Sequence, residues 1–195
     1  MTYAIIGAGK VGAALARHFA SAGIDVAIAN TRAPETLAEI ANELGEKIRP
    51  TTLRRALEAD VVIFAIPFKA HRDVAREAID WNGKIVIDAM NPYGVAPEEL
   101  AGRPSSAVLA SALPGARVVK AFNQLPAALL AKNPAENGGR RVVFVAADDE
   151  DAGASVADLA GRLGFAPIAL GKISEGGLLL QLKGALLLQN IVKFG

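Results

Sequence analysis

The sequence predicts an α/β fold in which helices cover both faces of a doubly wound, mostly parallel sheet. Short β-branched runs alternate with helical patterns, and most of these runs are apolar throughout. Uniformly apolar strands are typical of a parallel sheet that is buried on both faces. The first such run leads through a glycine-rich turn into an amphipathic stretch at residues 11–22. This order of elements predicts a strand–helix–strand unit with a right-handed crossover.

The elements follow in a regular order along the chain. Predicted strands cover residues 3–6, 25–29, 61–66, 84–87, 117–121, 141–146 and 167–170, with a minor strand at 47–49. Predicted helices cover residues 11–22, 34–44, 52–58, 69–78 and 152–163. We assign all of them to a single domain of the Rossmann type over residues 1–171.

The last segment, residues 172–195, has a different pattern. Between residues 175 and 194, leucine, isoleucine and valine cover nearly the whole circumference of a helix. A helix that is apolar all round is buried, so we expect a C-terminal apolar helix that packs on its own domain or on a partner subunit. The second alternative predicts a homodimer. Gly184, in the middle of this segment, lowers helix propensity and suggests a close crossing.

The glycine-rich turn predicts a site for a dinucleotide. Gly7 permits a tight turn, Gly9 lets the backbone approach a pyrophosphate, and Gly12 lets the helix pack close to the strand. The amides and the positive dipole of the helix start attract phosphate. The candidate phosphate-binding residues are therefore Gly7, Ala8, Gly9, Lys10, Val11 and Gly12.

The end of the second strand indicates which dinucleotide binds. An acidic residue at this position usually accepts hydrogen bonds from the adenosine ribose of NAD, but the chain has Asn30, Thr31 and Arg32 there. Arg32 offers a planar, permanently charged group that matches a 2′-phosphate, and Thr31 adds a donor. We therefore expect NADP(H). The alternative is that Arg32 is a solvated loop residue.

The composition limits the class of protein. With 21 basic and 20 acidic residues in 195, the net charge of +1 gives no attraction to nucleic acid or to membranes. The chain has no cysteine, which excludes disulfides and thiol nucleophiles. The first predicted strand leaves no room for a signal peptide, and no apolar run reaches the ~18 residues of a membrane span. We expect a soluble, cytoplasmic protein.

Several motifs together resemble the NADPH-dependent deazaflavin (coenzyme F-420) reductases. The resemblance rests on the glycine loop with residues 30–37, on residues 65–68, 88–92 and 120–126, and on the leucine-rich close of the chain. Related domains occur in metalloreductases and in pyrroline-carboxylate reductases. Some members have a histidine near the acceptor where this chain has Asn123.

This resemblance implies a complete cofactor site. Phosphates would lie on residues 9–12 and the 2′-phosphate on Thr31 and Arg32. The channel would be lined by Ile66, Pro67 and Phe68, while Asn91, Pro92 and Asn123 would lie beside the nicotinamide and the acceptor ring. The prolines are also ordinary strand terminators, and the asparagines are also ordinary turn residues.

No acid–base or metal-binding constellation stands out, so the catalytic residues remain unassigned and no metal site is expected. Hydride transfer between two rings depends on alignment more than on a proton donor. The leading hypothesis is therefore an NADP(H)-dependent oxidoreductase that exchanges hydride with a deazaflavin or flavin-like acceptor, a small-molecule ring. The alternatives are an NADP(H)-binding sensor without turnover and a component of a ferric or flavin reductase.

Overall fold

The computed structural model describes residues 1–195, apart from the side chain of Pro97. The strands are β1 (Tyr3–Ile6), β2 (Val26–Ala29), β3 (Ile48–Pro50), β4 (Val61–Phe64), β5 (Ile85–Asp88), β6 (Arg117–Ala121), β7 (Ala135–Glu136), β8 (Gly139–Ala147), β9 (Ala166–Ala169) and β10 (Val192–Lys193). The α-helices are α1 (Lys10–Ser21), α2 (Ala38–Leu44), α3 (Leu53–Ala56), α4 (His71–Arg76), α5 (Ser105–Ala110), α6 (Ala127–Leu130), α7 (Glu150–Arg162) and α8 (Gly176–Leu180). Single 3-10 turns cover Pro34–Leu37, Phe68–Ala70 and Pro97–Leu100.

All ten strands belong to one sheet. Its order is β10-β8-β6-β5-β4-β1-β2-β3, and β7 and β9 also pair with β8. Strands β1 to β6 run parallel to one another, whereas β8 runs antiparallel to β6. The order reverses between β1 and β4, which is where open α/β sheets bind ligands at the carboxyl ends of their strands. The mostly parallel, Rossmann-type sheet predicted from the sequence is confirmed.

Two apolar layers enclose this sheet, which explains why its strands do not alternate between apolar and polar residues. On one face Ile5 and Ile63 pack with Leu15 of α1 and with α7. On the other face Phe64 and Val86 pack with Leu109 of α5 and with α4. In a strand that is covered on both sides nearly every side chain is buried, so apolar residues predominate.

The helices predicted at residues 34–44 and 69–78 are shorter or divided. The first begins as a 3-10 turn before α2, and the second as a 3-10 turn before α4. Pro34 and Pro67 start these turns, since proline fixes its own φ and offers no amide.

The structure corrects the prediction of an apolar helix over residues 175–194. Helix α8 has only five residues, and the chain then passes through turns to β10, which pairs antiparallel with β8. Lys183 and Leu188 have left-handed backbone angles. A Cβ on Gly184 would lie 2.3 Å from the carbonyl oxygen of Leu179. The chain therefore folds back at Gly184, and the leucines are divided between the core and the surface.

The exposed part of this segment is apolar. Leu180 and Leu187 are buried, whereas Leu178, Leu179 and Leu188 are exposed. The homodimer stays a prediction, and so does the division of the chain into a domain of residues 1–171 and a C-terminal segment of residues 172–195. Within the described part of the chain, no helix combines the length and the apolar character that crossing a bilayer requires.

His18 joins α1 to α6 inside the protein. Its ring is buried against Phe165, with 4.9 Å between ring centres, and Nε2 donates a hydrogen bond to the carbonyl oxygen of Leu130. Burial lowers the pKa of His18 below its ordinary value of 6.5, and the hydrogen bond opposes part of this shift. The folded protein therefore binds a proton at this ring less readily than the unfolded chain does.

This pKa shift predicts a pH-dependent stability. Between the folded pKa and 6.5 the unfolded chain holds more protons, so the free energy of unfolding falls as the pH drops through this window. The carboxyls of Asp25 and Asp60 have pKa values lowered from 3.8 by hydrogen bonds and affect stability only in more acidic solution. Denaturant unfolding from about pH 7.5 to about pH 5 should show a slope that His18→Phe reduces. An equal slope in this variant would exclude His18 as its origin.

Candidate functional site

The turn between β1 and α1 is shaped by two crowded glycines. Gly7 has a φ of +105°, and a Cβ at this position would lie 2.4 Å from the carbonyl oxygen of Ala65, just after β4. A Cβ on Gly12 would lie 1.8 Å from the carbonyl oxygen of Gly7. Both positions therefore require glycine, since any side chain would displace backbone. The roles predicted for these two residues are consistent with this geometry.

Gly9, in contrast, faces open space. A Cβ there would meet nothing within 4 Å. Gly9 is the N-cap of α1, no side chain caps this end of the helix, and the first turn carries no acidic residue. The first amides of a helix have no partner within it. The turn therefore offers unobstructed amides and a positive dipole to an anion. Lys10 is exposed, while Ala8 and Val11 pack partly against the core.

The loop after β2 is folded by Asn30. Its side-chain oxygen accepts a hydrogen bond of 2.7 Å from the amide of Arg32, and its Nδ2 donates to Thr36 at 3.1 Å. Thr36 in turn donates to the carbonyl oxygen of Ala33. Asn30 therefore organises the loop, and Thr31 and Arg32 remain exposed on its outer side.

Thr31 and Arg32 border a cavity of about 650 Å³ between this loop and helices α3 and α4. Its other walls include Leu53 and Val74, and the carboxylates Asp73 and Glu77. Asp73 pairs with Arg76 and Glu77 with Arg54, whereas no described carboxylate pairs with Arg32. Among the charged residues of this lining, only Arg32 has no ion pair with a described residue, and its guanidinium suits a phosphate.

The predicted channel residues lie at the carboxyl end of β4 in different environments. Ile66 is half-buried with a methyl group beside Gly7, and Pro67 is exposed. Phe68 is buried and packs on His71, with 4.6 Å between ring centres. Phe68 is thus part of the core beneath the channel.

Asn91 and Asn123 lie against each other at the carboxyl ends of β5 and β6. Asn91 donates to the backbone oxygen of Asn123 at 3.0 Å, and Asn123 donates to the side-chain oxygen of Asn91 at 2.9 Å. Asn123 also donates to the carbonyl oxygen of Leu180 in α8. Its own Oδ1 is buried with no hydrogen-bond partner among the described residues. The neighbouring Pro92 is buried.

A buried ion pair beneath these asparagines escaped the sequence analysis. Lys120 Nζ lies 3.1 Å from Asp88 Oδ2, and the two side chains are 1% and 0% exposed. Burial lowers the pKa of Lys120, and Asp88 opposes this shift. One signal was available, since Asp88 ends the apolar run of β5 and Lys120 interrupts the apolar run of β6 just before its end.

Taken together, these positions fit a phosphorylated dinucleotide. The crowded glycines create an open cradle at Gly9, a free guanidinium lies beyond it, and a buried unsatisfied acceptor lies at the far end on Asn123. Among the described residues no cluster of three or more histidine and acidic side chains could hold a metal ion. The fold and the loop are those of the Rossmann-type dinucleotide-binding proteins.

Comparison with known proteins relates the chain to NADP oxidoreductases. Residues 2–92 match the family model described as "NADP oxidoreductase coenzyme F420-dependent". This match covers just under half of the chain, so the N-terminal part of the protein resembles the NADP oxidoreductases of that family.

Individual relatives extend the similarity over most of the chain. A hypothetical protein of Sinorhizobium meliloti has a TM-score of 0.94 and 42% identity, with 99% of this chain and 96% of that chain covered. A protein of Arthrobacter sp. FB24, named provisionally as an F420-dependent NADP reductase, has a TM-score of 0.74 and 26% identity, with 89% and 86% covered. Rat metalloreductase STEAP3 is 31% identical over 173 residues, which are 88% of this chain. The chain spans about a third (34%) of that metalloreductase.

The contrast between Gly9 and Gly12 gives a test of the phosphate loop. Gly9→Ala should cost no more than about 1 kcal/mol of stability, since its Cβ has space and only the helix cap changes. It should nevertheless weaken NADPH binding by about tenfold or more, because the Cβ occupies the approach of the pyrophosphate. Gly12→Ala should lose about 3 kcal/mol or more through overpacking. Denaturant unfolding measures the stability of each variant, and calorimetric titration measures its affinity for NADPH. An unchanged NADPH affinity in Gly9→Ala would contradict the placement of the pyrophosphate at Gly9.

Proposed function

We propose that the protein exchanges hydride between NADP(H) and a deazaflavin or flavin-like ring acceptor. The observation that carries the proposal is the guanidinium of Arg32, which is exposed at the carboxyl end of β2 without an acidic partner among the described residues. A carboxylate at this place would repel a 2′-phosphate, whereas Arg32 and Thr31 attract one. The family description supports the choice of NADP(H).

Different loops of the protein bind different parts of the cofactor. The amides at the start of α1 bind the pyrophosphate, and Thr31 and Arg32 bind the 2′-phosphate. The cavity beside Leu53 and Val74 has the position and the size for the adenine. At the other end Asn123 Oδ1 lacks a donor among the described residues, and the carboxamide of the nicotinamide supplies one. Satisfying a buried acceptor stabilises the complex.

When bound, the nicotinamide supplies the hydride or accepts it. The chain needs only to align two rings and to exclude water, since hydride transfer requires no proton donor on the protein at the reacting carbon. Fixed alignment of two reactants lowers a barrier by roughly 7–11 kcal/mol. The interlocked Asn91 and Asn123 hold the nicotinamide side of the cleft in place.

A deazaflavin is the acceptor favoured by the comparisons. The family description names coenzyme F420, and so does the provisional name of the Arthrobacter protein. A second candidate is electron supply to ferric iron, with or without a flavin. The observation that favours it is the 31% identity to the metalloreductase over 88% of this chain.

Arg32→Ala tests the choice of NADP(H) over NAD(H). Loss of a charge-assisted contact of about 1.5 kcal/mol should raise the Kd for NADPH about tenfold and leave that for NADH within about twofold. Calorimetric titration with both nucleotides measures the ratio.

Arg55→Ala is the matched control for this experiment. Arg55, on α3, is also an exposed arginine, but it pairs with Glu58 just after the helix and lies outside the cavity. The Arg55→Ala variant should leave the affinities for NADPH and for NADH unchanged. Equal NADPH/NADH ratios in wild type and Arg32→Ala would refute the role of Arg32.

A panel of acceptors tests the reaction. Oxidation of NADPH, followed by its near-ultraviolet absorbance, should be saturable with the deazaflavin coenzyme and slower with FMN, FAD and a ferric chelate. Turnover with the ferric chelate alone would favour the second candidate. Tight NADPH binding without turnover on any acceptor would sink the proposed reaction and favour a sensor.

A further inference from the structure

The ion pair between Asp88 and Lys120 lies in the buried interior of the sheet, where an unsolvated charge costs free energy. The two residues are direct partners in the register of β5 and β6, and both side chains are buried. Removing two charges from water costs as much as their attraction returns, so an apolar pair would stabilise the fold equally well. The pair therefore calls for an explanation other than stability.

The contacts of this pair point to the loop after β5. Asp88 Oδ1 accepts a hydrogen bond of 3.0 Å from the amide of Met90, and Lys120 Nζ donates to the carbonyl oxygen of the same residue. The amide and the carbonyl of Met90 are thus both held by the ion pair. This fixes the direction in which the chain enters Asn91.

These contacts belong to a closed circuit of hydrogen bonds. Asn91 binds Asn123, and Asn123 donates to the carbonyl oxygen of Leu180. The next residue, Gln181, accepts a hydrogen bond of 2.6 Å from the amide of Ser105.

Ser106, the residue after Ser105, closes this circuit of hydrogen bonds at Asp88. Its hydroxyl donates to Asp88 Oδ2 at 2.6 Å. The ion pair therefore fixes the Asn91–Asn123 contact through Met90 on one side. On the other side it supports α5, against which the segment after α8 is held.

We propose that Asp88 and Lys120 are positioning residues for hydride transfer, which act through Met90 to hold Asn91 and Asn123 against the nicotinamide. The assignment rests on the proposed function. Both side chains are buried, and their hydrogen bonds go to Met90, Ser106 and each other and to no residue of the phosphate loop or of the Arg32 loop. Their loss therefore affects the reacting ring and spares the affinity for the rest of the dinucleotide.

The test is the double variant Asp88→Asn/Lys120→Met. It removes both charges together, because Lys120→Met alone would leave Asp88 buried and unpaired. Its Kd for NADPH should stay within about threefold of wild type, while kcat with the best acceptor of the panel falls about 10- to 100-fold, as expected for a displaced ring. The deuterium isotope effect on kcat, with deuterium on the transferred position of NADPH, should rise.

Fluorescence of bound NADPH gives a readout that does not need turnover. An immobilised nicotinamide emits more strongly, and the double variant should lose most of this enhancement at saturating NADPH. His18→Phe is the control. It also removes a buried hydrogen bond to a backbone carbonyl, but His18 lies near the C-terminal end of α1, the end away from the phosphate loop. It should lower the melting temperature and leave kcat and fluorescence unchanged.

The outcomes separate this inference from the proposed function. If wild type does not bind NADPH, both fail. If wild type binds NADPH and the double variant keeps the fluorescence enhancement and any measured kcat, the positioning role fails alone. A loss of enhancement at unchanged Kd supports it, even where no acceptor of the panel is reduced.

Discussion

The crowding of backbone at the carboxyl end of β1 is the constraint on which the rest of the site depends. Gly7 lies against the chain leaving β4, and Gly12 lies against Gly7. Only residues without a Cβ allow these three segments to meet, and their meeting directs the start of α1 toward the point where the strand order reverses. The open space at Gly9 follows from it. The open turn that we propose for a pyrophosphate is thus a consequence of how tightly the first two elements of this half of the sheet can pack.

Polar side chains then decide how the loops beyond this point are arranged. Asn30 folds the loop that presents Arg32, and the Asp88–Lys120 pair holds the loop that presents Asn91. Each device uses buried or engaged polar groups to fix backbone, so the exposed groups are left free for a ligand. The two ends of the cleft, which the proposed function assigns to adenosine and nicotinamide, are thus shaped by the same physical means.

Much of this arrangement follows from local sequence signals. Apolar runs predicted the strands because each is covered on both faces, and the glycine spacing predicted the phosphate loop because its requirement for missing side chains is local. The C-terminal segment could not be predicted in this way. Its leucines fit a helix, but the fold-back at Gly184 and the pairing of β10 with β8 depend on contacts with distant strands. Lys120 was overlooked for a similar reason, because its partners Asp88 and Met90 are about thirty residues away along the chain.

The loop organised by Asn30 has a consequence for the time course of binding. Its internal hydrogen bonds exist before any ligand arrives, so little conformational entropy is lost when a phosphate docks. Under the proposed function, NADP(H) and NAD(H) meet the same preformed surface, so their association rates should be similar. Discrimination between them then resides in how long each stays, since affinity differences at one interface lie mostly in dissociation. Under the proposed function, the side chain of Asn30, whose oxygen and nitrogen both hold the loop, lengthens the residence time of NADP(H) by keeping Arg32 in place.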